Sequence, residues 1–227
     1  MQFKRAIPHI ITLGNLLCGT MAIYTLLVSQ DYIVSSYFIL AGAFLDFADG
    51  MVARLLGVAG ELGKQLDSLA DMVSFGLAPA AFAFSLFPEA SYWAVFVLLI
   101  PALSALRLAI FNISTNQSDT FIGIPTPMNT LFWIGLVYFV NDFLSIEWII
   151  QYEWVLVLFI VFSSVMLVLN LPMMALKFKK IDKAFIYKLL LFVLPSIVLL
   201  LFMQIAGLFI VYFLYIIYSV LYKFAQK

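Results

Sequence analysis

Hydrophobic residues along this chain come in long runs broken by short polar turns, and the runs have the length of membrane-crossing helices. A spanning helix needs roughly 20 mostly apolar residues. Such stretches fall at 8–28, 33–56, 66–87, 92–113, 127–145, 152–171, 184–203 and 205–223, the last two separated only by a tight turn near Gln204. The pattern predicts an all-α, polytopic membrane bundle of about eight transmembrane helices. With the N-terminus inside, the inner connections are 1–7, 54–66, 107–126, 172–188 and the C-terminal tail, and all 12 lysines and arginines lie in these or at their edges. The outer turns carry Asp31, Glu89, Asp142, Glu147 and Glu153. Basic residues are retained on the cytoplasmic side, so both termini are predicted to be cytoplasmic.

Composition agrees with the pattern. The chain is 65% hydrophobic and 11% charged, whereas a soluble domain is about a quarter charged. Net charge is zero, which argues against a nucleic-acid partner. A single cysteine, Cys18, excludes an internal disulfide and a cysteine metal cluster. His9 has no second histidine to complete a site and reads as an interfacial residue. The first 27 residues have the basic-then-apolar order of a signal peptide. Their apolar part is too long for one and lacks an A-x-A cleavage site, so they read as an uncleaved first span. The basic run "KFKKIDK" (177–183) reads as a topology anchor at the anionic inner leaflet, with a lipid-substrate site as the alternative.

Residues 46–71, DFADGMVARLLGVAGELGKQLDSLAD, break the apolar pattern with four aspartates. Asp46 and Asp49 are three apart and Asp67 and Asp71 four apart, so each pair projects from one helix face. The segment GVAGELG (57–63) is the obvious turn between them. At 1.5 Å per residue, Asp49 and Asp67 would both lie about 10–12 Å from that turn. Two antiparallel helices would therefore bring four carboxylates together. Each costs a few kcal/mol at bilayer depth, and four unpaired ones on the order of ten. Arg54 and Lys64 lie nearer the water and supply at most two positive charges. Protonation would neutralise the group, but divalent cations do so better, because carboxylate oxygens are hard ligands suited to Mg²⁺ or Mn²⁺. Four carboxylates match two such ions, and a paired-metal site polarises phosphate oxygens. A cation transporter or proton relay is the alternative from another class. No inverted repeat or second acidic span is visible to support it.

Written with spacing, the segment is D46-x2-D49-G50-x2-A53-R54-x8-G63-x3-D67-x3-D71. It resembles, at every fixed position, the signature of the CDP-alcohol phosphatidyltransferase family. The resemblance implies an enzyme that displaces CMP from a CDP-linked lipid with an alcohol, using two divalent cations, Mg²⁺ or Mn²⁺. It makes Asp46, Asp49 and Asp67 metal ligands. Asp71 becomes a metal ligand or neighbour and the general base for the acceptor's proton. Gly50, Ala53 and Gly63 would line the cytidine diphosphate pocket, with Arg54 anchoring it. The catalytic core would span 1–145, with 146–227 adding three helices to the same integral domain. A homodimer in a prokaryotic cell membrane, with its active site facing the cytoplasm, is implied as well.

Three outer segments, IPHIITLGNLLCG (7–19), LRLAIFNIS (106–114) and TFIGIPTP (120–127), resemble the branch of that family that takes L-serine as acceptor and CDP-diacylglycerol as donor. Transfer to glycerol 3-phosphate or an inositol compound is the alternative, although a phosphorylated acceptor would want more cations than this chain supplies. Thr12 and Asn15 share a face of the first span and either bond another helix or reach the nucleotide. Arg107 either pairs with an aspartate or forks onto a pyrophosphate or the serine carboxylate. Gly123, Pro125 and Pro127 interrupt the helix beside the fifth span, and irregular backbone at that depth is tolerated against protein or a water-filled cavity. That makes Thr126 a candidate cavity residue.

Overall fold

The computed structural model describes residues 2–113, 120–144, 152–174 and 183–224. Helix α1 (Gln2–Ser29) pairs closely with α2 (Tyr32–Leu55) across a turn at Asp31. Asp31 caps α2, its carboxylate accepting from the backbone N–H groups of Ile33 at 3.0 Å and Val34 at 2.9 Å. Those are orphan donors of the first helical turn, so the outer acid noted in the sequence also starts a helix. After the turn at Gly57, whose φ of +63° suits glycine, α3 (Glu61–Asp71) runs through a π-helical segment (Met72–Leu77) into α4 (Ala78–Phe84). A 3-10 segment (Tyr92–Leu98) leads into α5 (Leu99–Ile113), followed by α6 (Thr126–Phe143), α7 (Glu153–Val168), α8 (Lys183–Met203) and α9 (Gly207–Phe224).

Two details of the sequence reading change. Gly63 belongs to the first turn of α3 rather than to the loop, because the helix already starts at Glu61. The run 66–87 is not one continuous α-helix either. Its π segment has a tertiary cause: the Ser74 hydroxyl donates to the Asn15 carbonyl of α1 at 3.0 Å, and Thr130 of α6 donates to the Phe75 carbonyl at 3.3 Å. Any side chain at Gly19 would collide with Ser74. Close approach of α1 and a hydroxyl from α6 both favour the wider turn, which exposes carbonyls an α-helix would have used.

The all-helical expectation holds but for one ribbon. Thr120–Ile122 pairs antiparallel with Pro172–Met174, Phe121 opposite Met173. Gly123 follows at φ +73°, its N–H on the Leu171 carbonyl at 3.0 Å, in a place where a side chain would strike the Leu167 carbonyl. This glycine lets the chain turn against α7 and enter α6 at Thr126, with Pro127 in the first turn, where a missing N–H costs nothing.

By length and composition, Lys4–Ser29, Tyr92–Ile113 and Leu190–Leu221 are long and apolar enough to cross a membrane, among the described residues. Leu190–Leu221 is continuous in hydropathy but not in space. Gln204 has φ +50°, and Phe192 of α8 lies 5.9 Å from Tyr215 and 6.1 Å from Tyr218 of α9, ring centre to ring centre. The two helices therefore fold back as an antiparallel hairpin about the predicted turn. Helix α9 then packs on α6, where Gly135 leaves no room for a side chain against the Phe209 backbone. Phe132 sits at the centre of the resulting aromatic core, 4.5 Å from Tyr212 and 5.4 Å from Phe209. The basic run at 177–183 falls almost entirely outside the described residues.

Candidate active site

The antiparallel hairpin of α2 and α3 sets Asp46 against Asp71 and Asp49 against Asp67, as a short turn between two helical registers requires. Carboxylate oxygens of Asp46, Asp49 and Asp67 all lie within 4.8 Å of one another. Asp46 is also within hydrogen-bonding reach of Asp71. Oxygens of Asp49 and Asp71 are buried without a hydrogen-bond partner. An unpaired buried carboxylate oxygen is costly, and four acids at this spacing repel one another. The donor set, all hard oxygens with free lone pairs, fits a divalent cation.

The helix α1 forms one wall. Thr12 lies beside Asp49, although its hydroxyl donates to the Pro8 carbonyl at 3.0 Å. Asn15 is fully buried and neither atom of its carboxamide has a partner. That carboxamide abuts Gly42, on α2 one turn before Asp46. Gly50 opens onto free space, its nearest neighbour in the direction of a side chain being the Arg54 guanidinium at 4.0 Å. Ala53 is half-buried and Arg54 exposed at the mouth. Gly63 faces His9, whose Nε2 is 3.5 Å from where a Cβ would stand. His9, read from sequence as merely interfacial, therefore borders the motif. Lys64 does not shield the acids: its Nζ donates to the Asn112 carbonyl at 2.7 Å, while the Asn112 amide donates to Ser68 at 2.7 Å. These bonds pin the end of α5 to α3.

Helix α5 brings Arg107 to the far side. The guanidinium is buried, interacts electrostatically with Asp71, and donates from Nη1 to the Thr126 hydroxyl at a long 3.4 Å. Its Nε has no partner. Both sequence alternatives for Arg107 thus keep a physical basis, an aspartate nearby and donor capacity to spare. Thr126 is buried beside it because Gly123 and the ribbon deliver the start of α6 to this spot. Sequence reasoning missed Asn129, fully buried with both amide atoms unpartnered, and Ser104, whose hydroxyl is also unpartnered. A polar amide within an apolar span was the available signal for Asn129. A separate cavity of 680 Å³ opens at the other end of the bundle between Leu26, Phe84, Glu89 and Asn141, away from these acids.

The profile of the CDP-alcohol phosphatidyltransferase family matches residues 5–155, which contain every residue named in this cluster. The chain belongs to that family. Relatives of this phosphatidyltransferase include the CDP-diacylglycerol–serine O-phosphatidyltransferase of Bacillus subtilis, 41% identical over 143 residues, 61% of this chain and 78% of the relative. The Helicobacter pylori protein of the same name is 34% identical over 170 residues, 72% of this chain and 70% of its own. The Saccharomyces cerevisiae protein of that name is 37% identical over 128 residues, 52% of this chain and 46% of its own.

Proposed function

We propose that this phosphatidyltransferase makes phosphatidylserine and CMP from CDP-diacylglycerol and L-serine. The carrying observation is the convergence of Asp46, Asp49 and Asp67, with Asp71 and Arg107 adjacent, in a chain whose relatives carry the serine transferase name. Asp71 accepts the proton of the serine hydroxyl, and the serine oxygen forms a bond to the lipid-side phosphorus. The bond from that phosphorus to the bridging oxygen breaks, and CMP leaves with the electron pair. Asp46, Asp49, Asp67 and Asp71 would hold two divalent cations, Mg²⁺ or Mn²⁺, which supply charge neutralisation for the phosphate oxygens. Gly50, Ala53 and Gly63 leave room for the cytidine diphosphate, Arg54 closes over it at the mouth, and Thr12 and Asn15 line its inner wall. Arg107, buried with donor capacity unspent, receives the serine carboxylate, since a guanidinium forks onto a carboxylate. Thr126 orients that guanidinium.

Measuring CMP release by purified protein with CDP-diacylglycerol, Mn²⁺ or Mg²⁺ and a panel of alcohols tests the reading. Release with L-serine is expected. Absence of release with any alcohol would sink the enzyme, and release with glycerol 3-phosphate alone would sink the serine assignment.

The same reading gives eight spans, cytoplasmic termini and a cytoplasmic mouth, which suits water-soluble serine and CMP, in a homodimer whose mass in detergent checks that part. The orientation rests on the one-sided distribution of basic residues, and the homodimer on the family resemblance. In a Cys18→Ser background, a membrane-impermeant thiol reagent should label Glu89→Cys in intact cells and Glu61→Cys only after permeabilisation. The reverse labelling overturns the orientation.

A further inference from the structure

Two buried side chains near Arg107 carry hydrogen-bonding capacity that the fold leaves unused. Asn129 of α6 is 0% exposed, and neither atom of its amide has a partner among the described residues. Ser104 of α5 is equally buried, and its hydroxyl is likewise unpartnered there. On α6, Thr126, Asn129 and Thr130 stand at i, i+3 and i+4 and so share one face. That face is fixed at two points. Arg107 Nη1 donates to the Thr126 hydroxyl at 3.4 Å, and the Thr130 hydroxyl donates to the Phe75 carbonyl at 3.3 Å. On α5, Ser104 lies one turn before Arg107, its Cβ 3.2 Å from where a Cβ on Gly76 would stand. One turn from the Arg107–Thr126 contact, along either helix, therefore reaches the same Phe75–Gly76 stretch of the π segment. Asn129 and Ser104 stand at that level, on the two helices that meet it. Asp71 immediately precedes the same segment.

The unused atoms define a ligand chemistry. A buried amide and a buried hydroxyl without partners are costly in an apolar bundle, so these groups call for a polar ligand. Arg107 offers donors and a positive charge, which suits a carboxylate. The Asn129 carbonyl and the Ser104 hydroxyl oxygen are neutral acceptors set one turn away from that charge, and they suit a group rich in N–H donors. We propose that Asn129, with Ser104, is a specificity-determining residue that receives the α-ammonium group of the amino-acid acceptor, while Arg107 holds its carboxylate and Asp71 faces its hydroxyl. The acceptor is then held at three points, and an analogue that lacks the amino group leaves Asn129 and Ser104 buried and unpaired. This rests on the proposed serine transfer with Arg107 at the acceptor carboxylate.

The test uses the full chain in detergent or vesicles, with CMP release measured against L-serine and, separately, against CDP-diacylglycerol. The probe is 3-hydroxypropionate, which is serine without its amino group, used as a competitor of L-serine. For the wild type its inhibition constant should lie well above the serine KM. Asn129→Leu has nearly the volume of asparagine and removes both polar atoms. Its serine KM should rise about ten-fold, the scale of one hydrogen bond to a charged group. The inhibition constant of 3-hydroxypropionate, kcat and the donor KM should stay within about two-fold of wild type. Ser104→Ala should raise the serine KM by about three-fold with the same pattern. If Asn129→Leu does not insert, Asn129→Ala carries the same comparison, because both acceptor analogues are measured on one preparation. An unchanged serine KM, an equal weakening of L-serine and 3-hydroxypropionate, a rise in the donor KM, or a wild type that binds both compounds equally overturns the ammonium site. Wild-type protein that ignores L-serine overturns the serine reading instead, and that is seen before any variant is measured.

Discussion

Asp71→Asn leaves a folded, membrane-inserted protein whose CMP release is lower by about 10²–10⁴-fold, the usual contribution of a positioned general base. Asparagine has nearly the shape of aspartate, so the packing of α3 against its neighbours survives while the basic oxygen is lost. The position favours this role over that of a simple ligand. Asp71 ends α3 immediately before the π segment, beside Asp46 and facing Arg107, with one oxygen buried and unpartnered. It lies outside the tight group formed by Asp46, Asp49 and Asp67. The measurement that separates the roles is a titration with Mn²⁺ or Mg²⁺. Asp67→Asn should shift the cation concentration needed for activity, whereas Asp71→Asn should stay defective at saturating cation. Wild-type release by a folded Asp71→Asn protein removes the base assignment.

Chelation should abolish CMP release, and an excess of Mg²⁺ or Mn²⁺ should restore it. The second readout is stability. Three carboxylates within 4.8 Å, with a fourth beside them, repel one another in a poorly solvated place. A cation that binds this folded cluster and not the unfolded chain stabilises it by about 2.7 kcal/mol at a hundred-fold excess over its dissociation constant. The thermal transition of the purified protein should therefore rise with added Mn²⁺ or Mg²⁺, and Asp46→Asn or Asp49→Asn should shrink the rise. A transition that ignores both cations, together with chelator-resistant CMP release, would refute the metal site.

The acids were legible in the sequence because two short-range rules sufficed. A spacing of three or four puts each pair on one face, and a turn of a few residues forces the helices to run antiparallel at matching depth. The cost of burying four acids then demanded a partner. Arg107 stood out in the same way, as a lone cation at the inner end of an apolar helix. Tyr215 gave no such sign. It is one of four tyrosines in α9, 108 positions from Arg107, so nothing along the helix singles it out. The π segment was equally invisible, since it depends on hydroxyls arriving from Thr130 and on the approach of α1 at Gly19. His9 was set aside because no second histidine exists, yet α1 packs it against Gly63.

Local rules of this kind settled the helical class, the hairpin of aspartates and the family signature. All of these follow from spacing along one or two adjacent elements and from the energetic penalty of charge in an apolar setting. The tertiary structure decided what surrounds the acids: the wall that α1 makes with Thr12 and Asn15, and the delivery of Thr126 beside Arg107 by a glycine turn and a two-stranded ribbon. Those contacts join segments far apart in sequence, and in a chain where most helix faces are apolar, hydropathy cannot say which face meets which. Shape decides it, through the few places such as Gly19 and Gly135 where two backbones can come close enough.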